Sequence, residues 1–317
     1  MVNASGVRIS WTDVPDHVQA GVERILDGTV VQAVSQSGGF SPGTADRVQL
    51  QDGRRYFIKA VHPGLNSISP SLHRRELAVA ARVPANAPVP RLVDGFDDGD
   101  WVALVFEDIE GRHPHTPWQR GDVMATLQML DELADTTVPT GPGLAWTAED
   151  LKGEFSGWQR LTDDPWPGLD PLAAEHLPEL VDLAQRGLPA LAGDSLVHSD
   201  LRADNLLIRP DGRVVLVDWP FASKGCDWFD MLTLLINVEL YGGHDVEQLL
   251  AATPRLARVP DDRVNAVLAG LCGYFYDAAR SPPPPRLPTV RQFQLDQGDV
   301  VLGWLGRRMG WAPQSTM

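Results

Sequence analysis

The sequence of 317 residues predicts an α+β protein of two unequal parts. A small antiparallel sheet occupies the N-terminal third, and a larger, mostly helical region follows. Three observations carry this. Short alternating runs separated by turn residues crowd between residues 30 and 110. Helical patterning dominates 113–192, 228–240 and 261–280. One tight hairpin near residue 210 interrupts the helical part, with carboxylates and an amide at its open end. The length suits two domains or one bilobal one.

Residues 14–27 place Val14, Val18, Val22 and Ile25 on a helical stripe, with Pro15 at the start. A strand from Val30 to Ser35 leads into Gly38-Gly39-Phe40-Ser41-Pro42-Gly43, then a strand through Val48 and Leu50. Asp52-Gly53 is a hairpin signal, and Arg55 to Val61 alternates as a strand. Lys59 shares a face with Phe57 and Val61. A charge there must reach solvent, as edge-strand lysines do, or find a partner. A helix is expected from Ser69-Pro70-Ser71, where serine caps and proline suits the first turn, to about Val83 before Pro84. Leu72, Glu76, Val79 and Val83 share a face, so Glu76 either needs a cation, with Lys59 the candidate, or belongs to a solvated charged cluster with His73, Arg74 and Arg75. Backbone amides at Gly38, Gly39 and Ser41 could cradle phosphate oxygens; the segment reads equally as a plain hairpin turn. Arg91–Gly95 and Trp101–Gly111 then form a strand pair ending in an acidic segment.

Residues 113–192 read mostly helical, broken by loops around 139–147 and 163–171. His113 and His115 lack zinc-site spacing and suit an exposed loop. Trp158, Trp166, Trp219, Trp228 and Trp304 could line a pocket, although core packing is the commoner role. Pro282–Pro285 is a stiff surface connection, and the tail after Trp311 is expected to fray.

His198-Ser199-Asp200-Leu201-Arg202-Ala203-Asp204-Asn205 precedes the hairpin. Leu206-Leu207-Ile208 and Val214-Val215-Leu216-Val217 flank the turn Pro210-Asp211-Gly212-Arg213. Pairing Ile208 with Val215 brings Asn205 beside Asp218, with Asp200 at the same end. Oxygen ligands on a rigid hairpin suit Mg²⁺, which takes few protein ligands and keeps the rest for water and phosphate. A nearby carboxylate can accept a hydroxyl proton.

The His-x-Asp-x-x-x-x-Asn segment with its distal Asp resembles the catalytic loop and metal-binding aspartate of the protein-kinase-like superfamily. His198-Ser199-Asp200-Leu201 is similar to the His-Gly-Asp-Leu of aminoglycoside phosphotransferases, and Val217-Asp218-Trp219 to their Ile-Asp-Trp. Gly225-Cys226-Asp227-Trp228-Phe229-Asp230-Met231-Leu232 resembles their Gly-Asp-Pro-x-x-Asp-Leu-Ala, with Trp228 in the proline position. The match is strongest over 195–235, weaker back to about residue 38, and absent from the last 80 or so residues. The glycine-rich turn departs from the kinase Gly-x-Gly-x-x-Gly spacing. No Asp-Phe-Gly or Ala-Pro-Glu segment supports a protein kinase.

The resemblance implies a bilobal kinase-like fold, with a nucleotide-binding part over about 1–110, a hinge near 106–111, and a catalytic and acceptor-binding part over 111–317. It implies that Lys59, held by Glu76, contacts phosphates of ATP or GTP beside Gly38, Gly39 and Ser41. Backbone groups at Glu107 to Ile109 would meet the purine. Asp200 would act on the acceptor hydroxyl, Arg202 would steady the phosphoryl group, and His198 would orient the loop. Asn205 and Asp218 would hold Mg²⁺, and Asp230 would anchor the loop. The implied acceptor is a hydroxyl-bearing small molecule: an antibiotic, or in a metabolic kinase choline or an amino sugar. A non-catalytic nucleotide-binding module is a third reading.

Net charge is −15, which argues against nucleic acid or an anionic membrane as partner. An acidic surface serves solubility and would also favour a cationic substrate. Glu239, Asp245 and Asp277 are acidic candidates by sequence position. Two cysteines and no basic-then-apolar N-terminal pattern lead to the expectation of a cytoplasmic protein.

Overall fold

The computed structural model describes residues 6–139 and 144–311; the expected frayed tail lies outside them. The N-terminal part opens with α1 (Asp16–Leu26). Its buried stripe is Val18, Gly21, Val22 and Leu26, with Val14 buried just ahead of it and Ile25 at the margin. Five antiparallel strands follow: β1 (Val30–Ser35), β2 (Thr44–Leu50), β3 (Arg55–Val61), β4 (Leu92–Asp97) and β5 (Val102–Glu107), in sheet order β1-β2-β3-β5-β4. Alternate residues Val48, Ile58, Ala103 and Val105 pack one sheet face against α1.

Between β3 and β4 runs α2 (Ser69–Ala80). The serines do not cap it as expected. The side chain of Asn66 accepts from the Ile68 and Ser69 N–H groups at 3.0 and 3.2 Å, while Ser71 donates to the Ile68 carbonyl at 2.7 Å. The regular helix also stops short of Val83, which sits in a closing turn with its N–H on Val79 at 3.1 Å.

The C-terminal part contains α3 (Arg120–Ala134), β6 (Ala145–Trp146), α4 (Thr147–Asp150), α5 (Gly157–Asp163), α6 (Pro171–Glu175), α7 (Leu177–Ala190) and β7 (Ser195–Val197). The hairpin β8 (Leu206–Ile208) and β9 (Val214–Leu216) and then β10 (Ser223–Gly225) come next. The chain ends in α8 (Phe229–Tyr241), α9 (Val246–Ala252), α10 (Pro254–Ala257), α11 (Asp261–Ala279) and α12 (Val290–Met309). α11 is buried along most of its length and packs against α5, α7 and α12. Trp158 and Trp304 are fully buried, and Trp219 and Trp228 nearly so; all four pack in the core, and Trp219 also lines the cleft. Trp166 packs at the core's margin. The sequence reading did not foresee α9, α10, α12 or the sheet β6-β10-β7.

The hairpin forms where expected, but its register differs by one residue. Leu206 pairs with Leu216 and Ile208 with Val214, and the Val217 N–H reaches the Asn205 carbonyl at 2.9 Å. The turn closes from the Arg209 N–H to the Arg213 carbonyl at 2.9 Å. One further residue brings Asp218 to the same end as Asn205.

Candidate active site

Strand β3 brings Lys59 into the cleft between the sheet and the helical part. Its Nζ lies 2.8 and 2.9 Å from the two Glu76 carboxylate oxygens and 2.7 Å from Asp218 Oδ1. Glu76 comes from the inward face of α2, three residues after buried His73 and three before buried Val79. It also accepts the Trp219 N–H at 3.2 Å. Lys59 thus joins sheet, helix and hairpin. Burial pulls the Lys59 pKa down, but Asp218 and Glu76 outweigh it and raise it, so the ammonium stays charged. Burial likewise works to raise Asp218; Lys59 foremost, then Arg202 and His198, hold it well below the usual carboxylate range. Glu76 is pushed up by burial against the pull of Lys59.

The His198–Asn205 segment is anchored from beneath. Asp230, at the start of α8, accepts the His198 and Ser199 N–H groups at 2.7 and 2.9 Å. His198 is fully buried. Its Nδ1 accepts the Asp200 N–H at 3.3 Å, so Nε2 donates to the Val217 carbonyl at 3.0 Å. The imidazole therefore ties the loop to the hairpin and touches no cleft. Burial keeps its pKa below the ordinary value.

Asp200 is half-buried beside two donors. Arg202 Nη1 contacts both its oxygens at 2.8 Å, and Asn205 Nδ2 reaches Oδ2 at 3.0 Å. Burial raises its pKa above the ordinary value despite Arg202, the direction a general base needs. The other edge of Arg202 holds Asp204 at 2.9 Å. Its guanidinium lies 5.3 Å from the ring centre of Phe40, which in turn sits edge-on to Phe293 of α12 at 5.3 Å. The glycine-rich turn is thereby seated over the catalytic loop.

Gly38, Gly39, Ser41, Glu107, Ile109, Asn205 and Asp218 all line one cleft of about 320 Å³. Gly38 and Gly39 have φ of 91° and 76°, a left-handed conformation costly for residues with a Cβ. The buried Ser41 hydroxyl has no partner among the described residues, which leaves it a free donor and acceptor beside the cleft. The Glu107 N–H donates to the Arg91 carbonyl at 3.0 Å. It is spent within the sheet, which narrows the expected purine contact to the remaining groups over 107–109.

The donor set fits Mg²⁺. The Asn205 amide nitrogen is turned onto Asp200, leaving its oxygen for a cation, and Asp218 supplies a carboxylate. Among the described residues no group of three or more His, Cys, Asp or Glu could hold a metal. His113 and His115 are exposed; His113 contacts the Leu206 carbonyl at 2.9 Å and His115 contacts Asp122 at 2.8 Å.

A family model described as a phosphotransferase enzyme family matches residues 38–261, more than half of the chain. The chain belongs to this family. As a phosphotransferase it has structural company of the same architecture. An aminoglycoside phosphotransferase, APH(4)-Ia, in complex with ADP and hygromycin B, is 15% identical with a TM-score of 0.60, over 95% of this chain and 99% of that one. Choline kinase LicA from Streptococcus pneumoniae is 15% identical with a TM-score of 0.59, over 93% and 98%. Spectinomycin phosphotransferase APH(9)-Ia, in complex with ADP and spectinomycin, is 13% identical with a TM-score of 0.55, over 92% and 98%. No curated protein sequence matches the phosphotransferase.

Several residues of the cleft were missed in the sequence: Arg8, Asp204 and Arg47, which pairs with Asp108 at 2.7 Å. Asp204 alone left a signal, by its place beside Asn205. The three acidic candidates for a cationic acceptor are committed elsewhere. Glu239 pairs with Arg307. Asp245 caps α9 through the Glu247 and Gln248 N–H groups at 2.9 and 3.1 Å. Asp277 pairs with Arg160 at 2.6 Å and Arg280 at 2.9 Å.

Proposed function

We propose that this small-molecule phosphotransferase transfers the γ-phosphate of ATP or GTP, with Mg²⁺, to a hydroxyl of a polar natural product, in antibiotic inactivation or self-resistance. One observation carries the reading: Lys59 held at once by Glu76 and Asp218, in a cleft with Asn205 and beside Asp200. The nucleotide division falls near residues 106–111, with 1–110 holding the donor and 111–317 the acceptor. Asp200 orients the acceptor hydroxyl and takes its proton as the oxygen attacks. Lys59 meets the phosphates, with Glu76 fixing its position. Arg202 bridges Asp200 and Asp204 and would steady the transferring group. His198 and Asp230 set the loop's geometry without touching substrate. Asn205 and Asp218 would hold Mg²⁺, which supplies charge neutralisation on the phosphate oxygens.

Among the described residues no helix is long and apolar enough to cross a membrane; the cytoplasmic setting belongs to this proposal and rests on the two buried free cysteines. A metabolic kinase for choline or an amino sugar is the second reading, favoured by the choline kinase of equal structural likeness. Presence of Lys59, Glu76, Asp200, Asn205 and Asp218 together argues against a non-catalytic module. The test is nucleotide turnover scored across aminoglycosides, nucleoside and peptide antibiotics, macrolides, choline and amino sugars. Turnover with an antibiotic is the expected result. Phosphorylation of a protein, with no small-molecule alcohol accepted, would sink the reading.

A further inference from the structure

Residues 6–10, ahead of α1, form a strap beside the cleft. The Val7 N–H donates to the Arg286 carbonyl at 2.8 Å, and Arg286 Nη1 returns a bond to the Val7 carbonyl at 3.2 Å. Gly6 packs so closely that a Cβ there would lie 2.9 Å from the Ser41 carbonyl oxygen and 3.3 Å from Leu287. The strap is therefore wedged between the glycine-rich turn and the connection joining α11 to α12. Beyond it, Ser10 is fixed by Asp13 at 2.7 and 2.8 Å, and Trp11 is buried.

Between these fixed points Arg8 turns into the cleft and lines it with Lys59, Ser41 and Asp218. Its guanidinium donates to the Gly38 carbonyl. A Cβ on Gly39 would lie 3.0 Å from its Nη2 and 3.8 Å from Asp204 Oδ2, so guanidinium and carboxylate flank the turn together. Asp218, Asp46 and Asp204 act on it electrostatically. Asp46 is itself buried and bonded by the Ser35 and Thr44 hydroxyls.

The cations in and beside the cleft are not equally occupied: of those lining it, Arg47 pairs with Asp108 and Arg112 with Asp122. Lys59 is divided between Glu76 and Asp218, and Arg202 between Asp200 and Asp204. Arg8 instead donates to a neutral carbonyl in the turn, and a guanidinium has five N–H donors. The unpartnered Ser41 hydroxyl belongs to the same stretch of cleft. A planar cation beside glycine amides and an orphaned hydroxyl matches the fork geometry with which arginine binds phosphate.

We propose that Arg8, delivered by the N-terminal strap, binds the phosphates of the nucleoside di- or triphosphate donor. The inference rests on the nucleotide reading above and adds a binding residue from outside the family-matched segment, which begins at residue 38. The strap then couples phosphate binding to its own seat on Arg286 and Leu287.

The test uses the full chain with Arg8→Gln and Arg8→Lys, titrated calorimetrically with ATP, ADP and adenosine, and with GTP, GDP and guanosine in parallel. Arg8→Gln is expected to weaken the phosphorylated ligands by about ten- to a hundredfold, the range of one charged hydrogen-bonding contact. The bare nucleoside should bind unchanged. Arg8→Lys should recover part of the loss, because it keeps the charge without the fork. Unchanged di- and triphosphate affinity in Arg8→Gln overturns the proposal, and so does tighter binding, which would make Arg8 a plug and not a ligand. An equal loss for nucleoside and nucleotide also overturns it, because the strap would then act only on the shape of the cleft. Wild-type protein that binds no nucleotide at all would instead defeat the parent reading.

Discussion

Lys59→Met gives a prediction whose size depends on pH. The substitution leaves Glu76, 3% exposed, with the Trp219 N–H at 3.2 Å and no cation. Losing one partner of a buried ion pair typically costs about 3–5 kcal/mol. Glu76 can limit that cost by taking a proton. Its folded pKa is raised by burial even with Lys59 present, and removing the lysine raises it further. A group whose folded pKa is raised contributes stability that is full below its unfolded value and lost as pH rises towards the folded one. Neutralising Glu76 from an ordinary value of 4.5 costs about 1.4 kcal/mol at pH 5.5 and about 5 kcal/mol at pH 8. The variant should therefore lose little near pH 5.5 and the full 3–5 kcal/mol at pH 8. Adding Glu76→Gln should return about 2 kcal/mol or more at pH 8 and flatten the pH dependence. Urea titrations followed by tryptophan fluorescence at the two pH values measure wild type, Lys59→Met and the double variant. An equal penalty at both pH values, with no recovery from Glu76→Gln, would show that the glutamate carries no uncompensated charge.

Other perturbations separate the remaining roles. Asp200→Ala should cut turnover by about 10²–10⁴-fold while calorimetry shows nucleotide affinity nearly unchanged; near-wild-type turnover with any acceptor removes Asp200 from the chemistry. Asp218→Asn should weaken nucleotide binding in the presence of Mg²⁺ more than in its absence, and equal affinity with the metal present would count against the ligand assignment. His73 is buried with its Nε2 unpartnered, and burial first, then Lys59, holds its pKa at about 4 against an ordinary 6.5. A depressed folded pKa gives stability that is present above the unfolded value and lost as pH falls through the folded one. Wild type should accordingly lose up to about 3 kcal/mol between pH 6.5 and 4 that His73→Gln does not lose; parallel stability curves for the two proteins would reject the neutral buried imidazole.

What the sequence disclosed follows the range of the interactions involved. The β8–β9 hairpin was legible because Pro210-Asp211-Gly212 fixes a local turn. Its register was not, because the closing bond from Arg209 to Arg213 is a choice between turn geometries that the composition leaves open. Lys59 and Glu76 could be matched because each is a charge on an inward face. α12 escaped notice because Gly298, Gly303 and Gly306 lower its helix propensity, and its buried residues form no clean stripe. Gly298 is explained only by packing: a Cβ there would stand 3.2 Å from the Tyr276 ring. Ser199 occupies φ 68°, which explains why the resembling motif has glycine there. The serine is held by a hydroxyl chain through Ser223 to Thr147, at 3.0 and 2.7 Å, whose members are too distant in sequence to be paired by inspection. Arg8 was out of reach for the same reason, since its surroundings are set by Gly38 and Arg286.

The neighbour of Glu76 has a mechanical consequence. Arg75 reaches only the helical part, at Asp150 and at the Ala222 carbonyl at 3.0 Å, while Glu76 beside it holds Lys59 of the sheet as well as the Trp219 N–H. A rotation that carries α2 with the sheet must tear Arg75 from the helical part. A rotation that leaves α2 behind must pull Glu76 off Lys59. Neither motion can proceed by small degrees, because hydrogen bonds of this length fail within about an ångström of stretch. The cleft should thus behave as a latch and not as a spring, resting in discrete positions, with release of spent nucleotide timed by how often the latch lets go.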